Sequence, residues 1–198
     1  REGALHGASL MMGQPGTAHA VRLAHENPSL QIGWHLHLCD STPTTCPAWP
    51  WGGSAFRAGL AIGWRARARQ LMRREVRRQW QLFESTGLRC DFLNAHHHLH
   101  VHPRVIHALD TVVPGTFAGW LRGFDVRWFG PAGPERWLRP FACRWLHRWK
   151  RFAKSDTLWG LDRLHRMDAG EIRCALAGLP AGRHEFIFHP RGTSRDAD

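Results

Sequence analysis

The run Asn94-Ala95-His96-His97-His98-Leu99-His100-Val101-His102-Pro103 sets five imidazoles in seven positions directly after a short apolar segment, Cys90 to Ala95. A fold that accepts this run has to end a strand there and bring the imidazoles to a cavity. A second close pair, His35 and His37, falls in Gly33-Trp34-His35-Leu36-His37-Leu38, and His189-Pro190 follows Glu185-Phe186-Ile187-Phe188. Each of the three lies at or near the C-terminal end of a segment that reads as a strand. In barrels and open parallel sheets that end carries the active site, because loops from several strands converge there. The coincidence predicts a single site.

Neutral imidazole, with an ordinary pKa of about 6.5, is the commonest protein ligand for zinc-like ions near neutral pH. If the chain stays extended through the run, alternate side chains share a face. His96, His98, His100 and His102 then line one side and His97 the other, so two or three converge but five cannot bind one ion. The run is internal, with Phe92-Leu93 before it and a proline after it, which argues against a tag or a solvated tail. His6, His19, His25, His107, His147, His165 and His184 have no comparable grouping and read as surface or core residues.

Strand-like and helix-like segments alternate along the chain. A helix is predicted from Thr17 to Asn27, a strand from Leu30 to Leu38, and a loop from Cys39 to Gly53 rich in Ser, Thr, Pro, Trp and Gly. A helix from Trp64 to Ser85 carries Met72, Val76, Trp80 and Phe83 at helical spacing, and Cys90 to Ala95 is the strand that delivers the histidines. A helix from Val105 to Val113 is followed by irregular sequence to Pro134. Pro140 to Lys154 reads as an amphipathic helix with proline in its first turn and the stripe Phe141, Trp145, Trp149, Phe152. A helix from Ala169 to Ala177, a turn at Pro180-Ala181-Gly182 and a strand Glu185 to Phe188 complete the chain. This order predicts an α/β fold, either a barrel or a parallel sheet.

With 198 residues and 43% hydrophobic content, one domain with a real core is expected. The formal charge of +11 comes from 27 Lys and Arg, all but two of them Arg, against 16 acids, and such a surface attracts nucleic acid, anionic lipid headgroups or phosphorylated substrates. No stretch approaches the roughly 20 apolar residues that span a bilayer, and the first residues lack the order of a signal peptide, so a cytoplasmic location is expected. Five scattered cysteines without a Cys-x-x-Cys pair read as free thiols.

Ala8-Ser9-Leu10-Met11, Gly33-x-His35-Leu36, Asn94-Ala95-His96-His97-His98-Leu99-His100 and Glu185-x-x-x-His189-Pro190 occur in this order. Together they resemble the YdjC-like (ChbG-type) carbohydrate deacetylases over nearly the whole chain, with a poor match from Pro114 to Lys154. Asn94-Ala95-His96 in place of Asp-Ser-His, with Trp159-Gly160-Leu161 before Gly182-x-x-Glu185, most resembles the hopanoid-biosynthesis-associated branch, HpnK. The resemblance implies a (β/α)-barrel-like single α/β domain over 1–198 and one divalent ion, Mg2+ or Zn2+, held by an N-terminal Asp and two His. By motif the histidines fall on His35 and His96. The Asp of such enzymes lies in an Asp-Asp-Phe-Gly segment, which this chain lacks. The chain starts in what reads as the second strand-helix unit, so an N-terminally truncated domain is expected. Asp40, Asp91 and Asp125 do not fit that motif, and none is assigned to it.

The implied reaction is hydrolysis of an N-acetyl group from an amino sugar, with a glycosylated hopanoid lipid as one such substrate. The ion lowers the pKa of bound water to about 7 and polarises the acetamide carbonyl, a carboxylate takes the proton, and an acid protonates the departing amine. His189 is implied as that acid or as an oxyanion stabiliser, and otherwise reads as a turn histidine before proline. His98, His100 and Asn94 are implied behind the ligands or against substrate. The basic helix from Pro140 to Lys154 suits a lipid-linked glycan at an anionic membrane, or else packs its stripe inward as an outer barrel helix. Two rivals stay open: another His-x-His metallohydrolase, and a basic non-enzymatic protein that binds anionic membrane or nucleic acid. No nucleic-acid motif is present, so no specific nucleic-acid partner is expected, and the oligomeric state stays open.

Overall fold

The computed structural model describes residues 5–127, 135–163 and 168–189; His165 and Pro190 lie outside them. The chain divides into two compact units, 1–121 and 122–198. The first is a run of strand-helix units: β1 (Gly7–Leu10), α1 (Thr17–Glu26), β2 (Gln31–Leu36), α2 (Ala55–Trp64), α3 (Ala66–Glu84), β3 (Phe92–Ala95), α4 (Pro103–Val112) and β4 (Trp120–Leu121). β1, β2, β3 and β4 pair in that order, all parallel, with Ser9 opposite Gly33 and His35 opposite Asn94. The second unit holds β5 (Val126–Arg127), α5 (Glu135–Leu146), β6 (Ala153–Lys154), β7 (Thr157–Trp159), α6 (Ala169–Ala177) and β8 (His184–Phe186), with β5, β7 and β8 forming a parallel sheet. The α/β fold with parallel sheets is the one the alternation predicted.

Central parallel strands are buried on both faces and read as apolar runs. Accordingly Ile32, Gly33, Trp34 and Leu36 of β2 and all four residues of β3 are buried. α3 turns Ala68, Leu71, Met72, Val76, Trp80 and Phe83 inward at three- and four-residue spacing, and Trp34 packs on Trp80 at 5.3 Å between ring centroids. Glu75 and Gln79 share this inward stripe, although both are polar and both are fully buried. Gly33 makes room for the Phe92 ring, which stacks on Trp120; a Cβ at Gly33 would stand 2.2 Å from Phe92. Gly33→Ala is expected to destabilise the chain by about 1–3 kcal/mol through overpacking, read as a lower midpoint in urea.

Three sequence expectations change. The helix expected from Trp64 to Ser85 is preceded by a separate helix, α2, because Arg65 adopts extended backbone (φ −100°, ψ 123°) and caps both. The helix expected from Pro140 to Lys154 is α5, which starts five residues earlier, carries Pro140 inside it and ends at Leu146. Its expected stripe therefore breaks up: Phe141 is 67% exposed, while Phe152 lies beyond the helix and is buried. The histidine run is not extended. It forms a 3-10 segment, His96–Val101, in which His97 (φ 49°) and His98 (φ 55°) adopt left-handed backbone, so the predicted alternation of faces is lost.

A candidate metal centre at the ends of two strands

Residues opposite one another on neighbouring strands point to the same face. The pairing of His35 with Asn94 therefore brings two polar side chains together near the carboxyl ends of β2 and β3. His35 Nδ1 lies 2.5 Å from Asn94 Oδ1, and Ser9 Oγ of β1 is 3.5 Å from the same nitrogen. An amide oxygen only accepts, so His35 donates from Nδ1 and its ring lone pair sits on Nε2. Asn94 is buried, and its Nδ2 has no hydrogen-bond partner among the described residues. Asn94→Ala frees the ring to turn and is expected to weaken divalent-ion affinity about 10–100-fold, measured by competition with a chelating dye.

β3 ends at Ala95, and the chain then swings His96 beside His35, with ring centroids 5.7 Å apart. The left-handed turn at His97 and His98 brings a further imidazole to the same place, since the His96 and His97 rings are 4.1 Å apart. Asp40, four residues past the end of β2, meets both. Its Oδ2 lies 3.7 Å from His96 Nε2 and 3.3 Å from His97 Nε2. One donor atom from each of Asp40, His96 and His97 falls within 4.8 Å of the others.

Donors around a tetrahedral zinc-like ion stand about 3.4 Å apart, so small side-chain rotations close this set on one ion. Two imidazoles and a carboxylate with open positions suit a catalytic divalent centre, and the residues fit. The hydrogen bond to His97, and then its charge, hold the Asp40 carboxyl below its ordinary range. Burial, with the His97 imidazole beside it, pushes His96 below the ordinary imidazole range despite Asp40, which keeps its lone pair available. Cys39, next to Asp40, is pushed up to about 11 by burial and by the Asp40 charge, so it stays a protonated thiol.

The three non-glycine residues with left-handed backbone among the described ones are Asp40, His97 and His98. Such backbone costs roughly 1–2 kcal/mol per residue and gathers at functional sites. Here it falls on two of the three clustered donors.

The loop that carries Asp40 is anchored from below. Glu75 accepts from the backbone N–H of Thr44 (2.7 Å) and Thr45 (2.9 Å), from their hydroxyls (2.8 and 2.6 Å), and from Gln79 Nε2 (2.8 Å). Gln79 also donates to the His37 carbonyl at 2.8 Å. His37 is fully buried, donates to the Met12 carbonyl at 2.8 Å and sits 2.9 Å from Ser41 Oγ, so it holds the loop rather than an ion. His102 caps α4, its Nδ1 accepting from Arg104 N–H at 3.1 Å.

The first unit thus brings together His35, His96 and Asn94 of the expected set. His98 and His100 form a pair of their own at 6.1 Å, with His100 fully buried. His189 is exposed beyond β8 in the second unit, where Glu185 pairs with Arg122, Arg122 Nε donating at 2.7 Å. His97, expected on the opposite face, lies beside His96 instead, and Asp40, which fits no motif of the resemblance, joins them. The available signal for Asp40 was its place just beyond a strand end, in the loop Cys39 to Gly53.

Residues 1–197 match the family model described as "YdjC-like protein". Proteins named "Carbohydrate deacetylase" are similar. That of Brevibacillus brevis is 36% identical over 108 residues, 54% of this chain and 43% of that protein. That of Vibrio campbellii is 33% identical over 109 residues, again 54% and 43%. That of Vibrio cholerae is 31% identical over 146 residues, 73% of this chain and 54% of that protein. The chain spans about half the length of the curated relatives it matches. A crystal structure from Enterococcus faecalis V583, of a protein assigned to cellobiose-phosphate cleavage, superposes with a TM-score of 0.68 at 17% identity, covering 98% of this chain and 73% of that one. That likeness bears on the fold alone.

Proposed function

The chain belongs to the YdjC-like family, and on that premise we propose that it is a metal-dependent carbohydrate deacetylase that hydrolyses the N-acetyl group of an amino sugar. One observation carries the reading: His35, His96, His97 and Asp40 meet at the ends of β2 and β3, with left-handed backbone at two of them. Its relatives' names give the substrate class, a carbohydrate bearing an acetyl group.

A divalent ion, Mg2+ or Zn2+, supplies Lewis-acid polarisation of the acetamide carbonyl and an activated water when bound. His96 and Asp40 would hold it together with a second imidazole, which the motif resemblance puts at His35 and the donor distances put at His97. Asn94 Oδ1 accepts from His35 Nδ1, which fixes the ring and would leave Nε2 as the atom able to hold the ion. His97 hydrogen-bonds Asp40 and keeps the carboxylate ionised and aimed. The motif resemblance alone gives His189 the role of acid for the leaving amine or of oxyanion stabiliser, and His98 and His100 that of residues behind the ligands or against substrate. Residues 1–198 act as one domain of the family, and the hopanoid-associated branch makes a lipid-linked amino sugar the substrate.

The test is metal content together with acetate release from N-acetylglucosamine oligomers. It is run on this chain and on a longer form that carries an upstream Asp-Asp-Phe-Gly segment. Bound divalent ion and acetate release in at least one form, both lost with His35→Ala and His96→Ala, support the reading. Metal-free, inert protein in both forms, on which those substitutions have no effect, would falsify it.

A further inference from the structure

Helix α2 turns an apolar ladder to solvent. Phe56, Leu60 and Trp64 recur every four residues and so share one face; they are 74%, 47% and 84% exposed. Ala58, Ala61 and Ile62, on the opposite face, are buried. Exposed apolar residues scattered singly are ordinary, but a contiguous ladder marks an interaction surface. The ladder has no acidic neighbour on its own helix, and Arg57 is exposed beside Phe56.

The next helix begins two residues beyond Trp64 and supplies charge. Arg69, Arg73, Arg74 and Arg77 of α3 line a groove of about 350 Å³ with Ala66 and Gln70. Glu75, the carboxylate within this stretch, is turned inward onto Thr44 and Thr45 and does not neutralise them. The corner between α2 and α3 therefore joins large apolar side chains to guanidinium groups.

We propose that this corner docks on an anionic lipid bilayer, with Phe56, Leu60 and Trp64 entering the boundary between headgroups and acyl chains and the α3 arginines against lipid phosphates. Charge and apolarity together select the occupant. A nucleic acid satisfies the guanidinium groups but offers no apolar surface to Leu60. A second copy would cover the ladder but would press two like-charged arrays together, in a chain whose formal charge is already +11. An anionic bilayer accepts both parts. No helix among the described residues is long and apolar enough to cross a membrane, so the contact is one of surface docking.

The ladder also starts near the candidate metal centre. Gly53, just before α2, faces Asp40, and a Cβ there would stand 3.6 Å from Asp40 Oδ1. The docking surface does not depend on the deacetylase reading. Where both hold, the centre opens beside the bilayer that would carry a lipid-linked substrate.

The experiment is co-sedimentation of the whole chain with vesicles of phosphatidylcholine, with and without phosphatidylglycerol. Binding to the anionic vesicles alone is expected. The triple variant Phe56→Ser, Leu60→Ser, Trp64→Ser should bind about tenfold more weakly or worse even at low salt. Arg73→Gln with Arg77→Gln should lose a similar factor at low salt and little at high salt. Quenching of tryptophan emission by brominated lipid should fall with Trp64→Phe, and melting curves check that the variants fold.

Four outcomes overturn the proposal. The wild-type chain fails to sediment with anionic vesicles at low salt, or the triple variant binds as the wild type does. Binding is lost only when Trp137 and Phe141 of α5 are replaced, which moves the contact elsewhere. Or the wild type is a dimer that the triple variant splits, without any vesicle binding, which assigns the ladder to a second copy.

Discussion

His96→Ala is expected to weaken divalent-ion affinity at least about a hundredfold, because it removes a ligand where losing only a supporting group costs 10–100-fold. Acetate release should fall with it. Folding stability of the metal-free chain should change by only about 1 kcal/mol, since His96 is half-buried at a turn and fills no core position. His97→Gly sharpens the contrast. Glycine adopts φ near 49° without the Cβ penalty, so this substitution should stabilise the fold by up to about 1 kcal/mol while still lowering metal affinity. A site retained for packing would show the reverse, a loss of stability with no change in affinity. Calorimetric titration with Zn2+ and Mg2+, set beside thermal melts, separates the two. Unchanged affinity in His96→Ala, His97→Gly and Asp40→Ala alike would leave the cluster without a metal role.

Much of this arrangement is legible in the residues themselves. β2 and β3 are short apolar runs followed by polar residues, and their C-terminal ends mark the candidate site, because parallel pairing fixes which side chains become neighbours. His35 and His96 meet as expected. The failure lay one residue further on. An alternating pattern assumes that the strand continues, yet β3 stops at Ala95, and the departing chain coils through two left-handed residues, a conformation uncommon outside glycine and marked by no glycine here. The place of Asp40 beside them is not legible for a related reason. It lies in a loop whose course is set by Glu75, thirty-five positions away on another helix, and no local pattern carries that information. α2 was hidden because its outer face is as apolar as its inner one, so the usual contrast between faces is weak. In α5, Pro140 was read as a first-turn residue, whereas it is tolerated inside the helix.

Glu75→Ala should be the most damaging single substitution for stability in the first unit. The wild-type carboxylate is fully buried and accepts from two backbone amides, two hydroxyls and an amide nitrogen. Truncation leaves these donors without their acceptor, and breaking such a buried charged network costs about 3–5 kcal/mol. For a chain of this length that is roughly 10 °C in melting temperature. Burial by itself would raise the Glu75 carboxyl, but the hydrogen bonds from Thr45, Gln79 and Thr44 outweigh it and hold the group below its ordinary range. A group depressed in the folded state contributes stability that is complete above its unfolded pKa, near 4.3 for glutamate. That contribution is lost as the pH falls through the lower folded value. The wild type should therefore lose stability in that acid window, while Glu75→Gln, less stable at neutral pH, should show a shallower acid slope. Because Thr44 and Thr45 hold the loop that presents Asp40, both variants should also bind Zn2+ more weakly although neither touches the ion. Melting curves across acid pH would contradict this account if the slope stayed the same in Glu75→Gln.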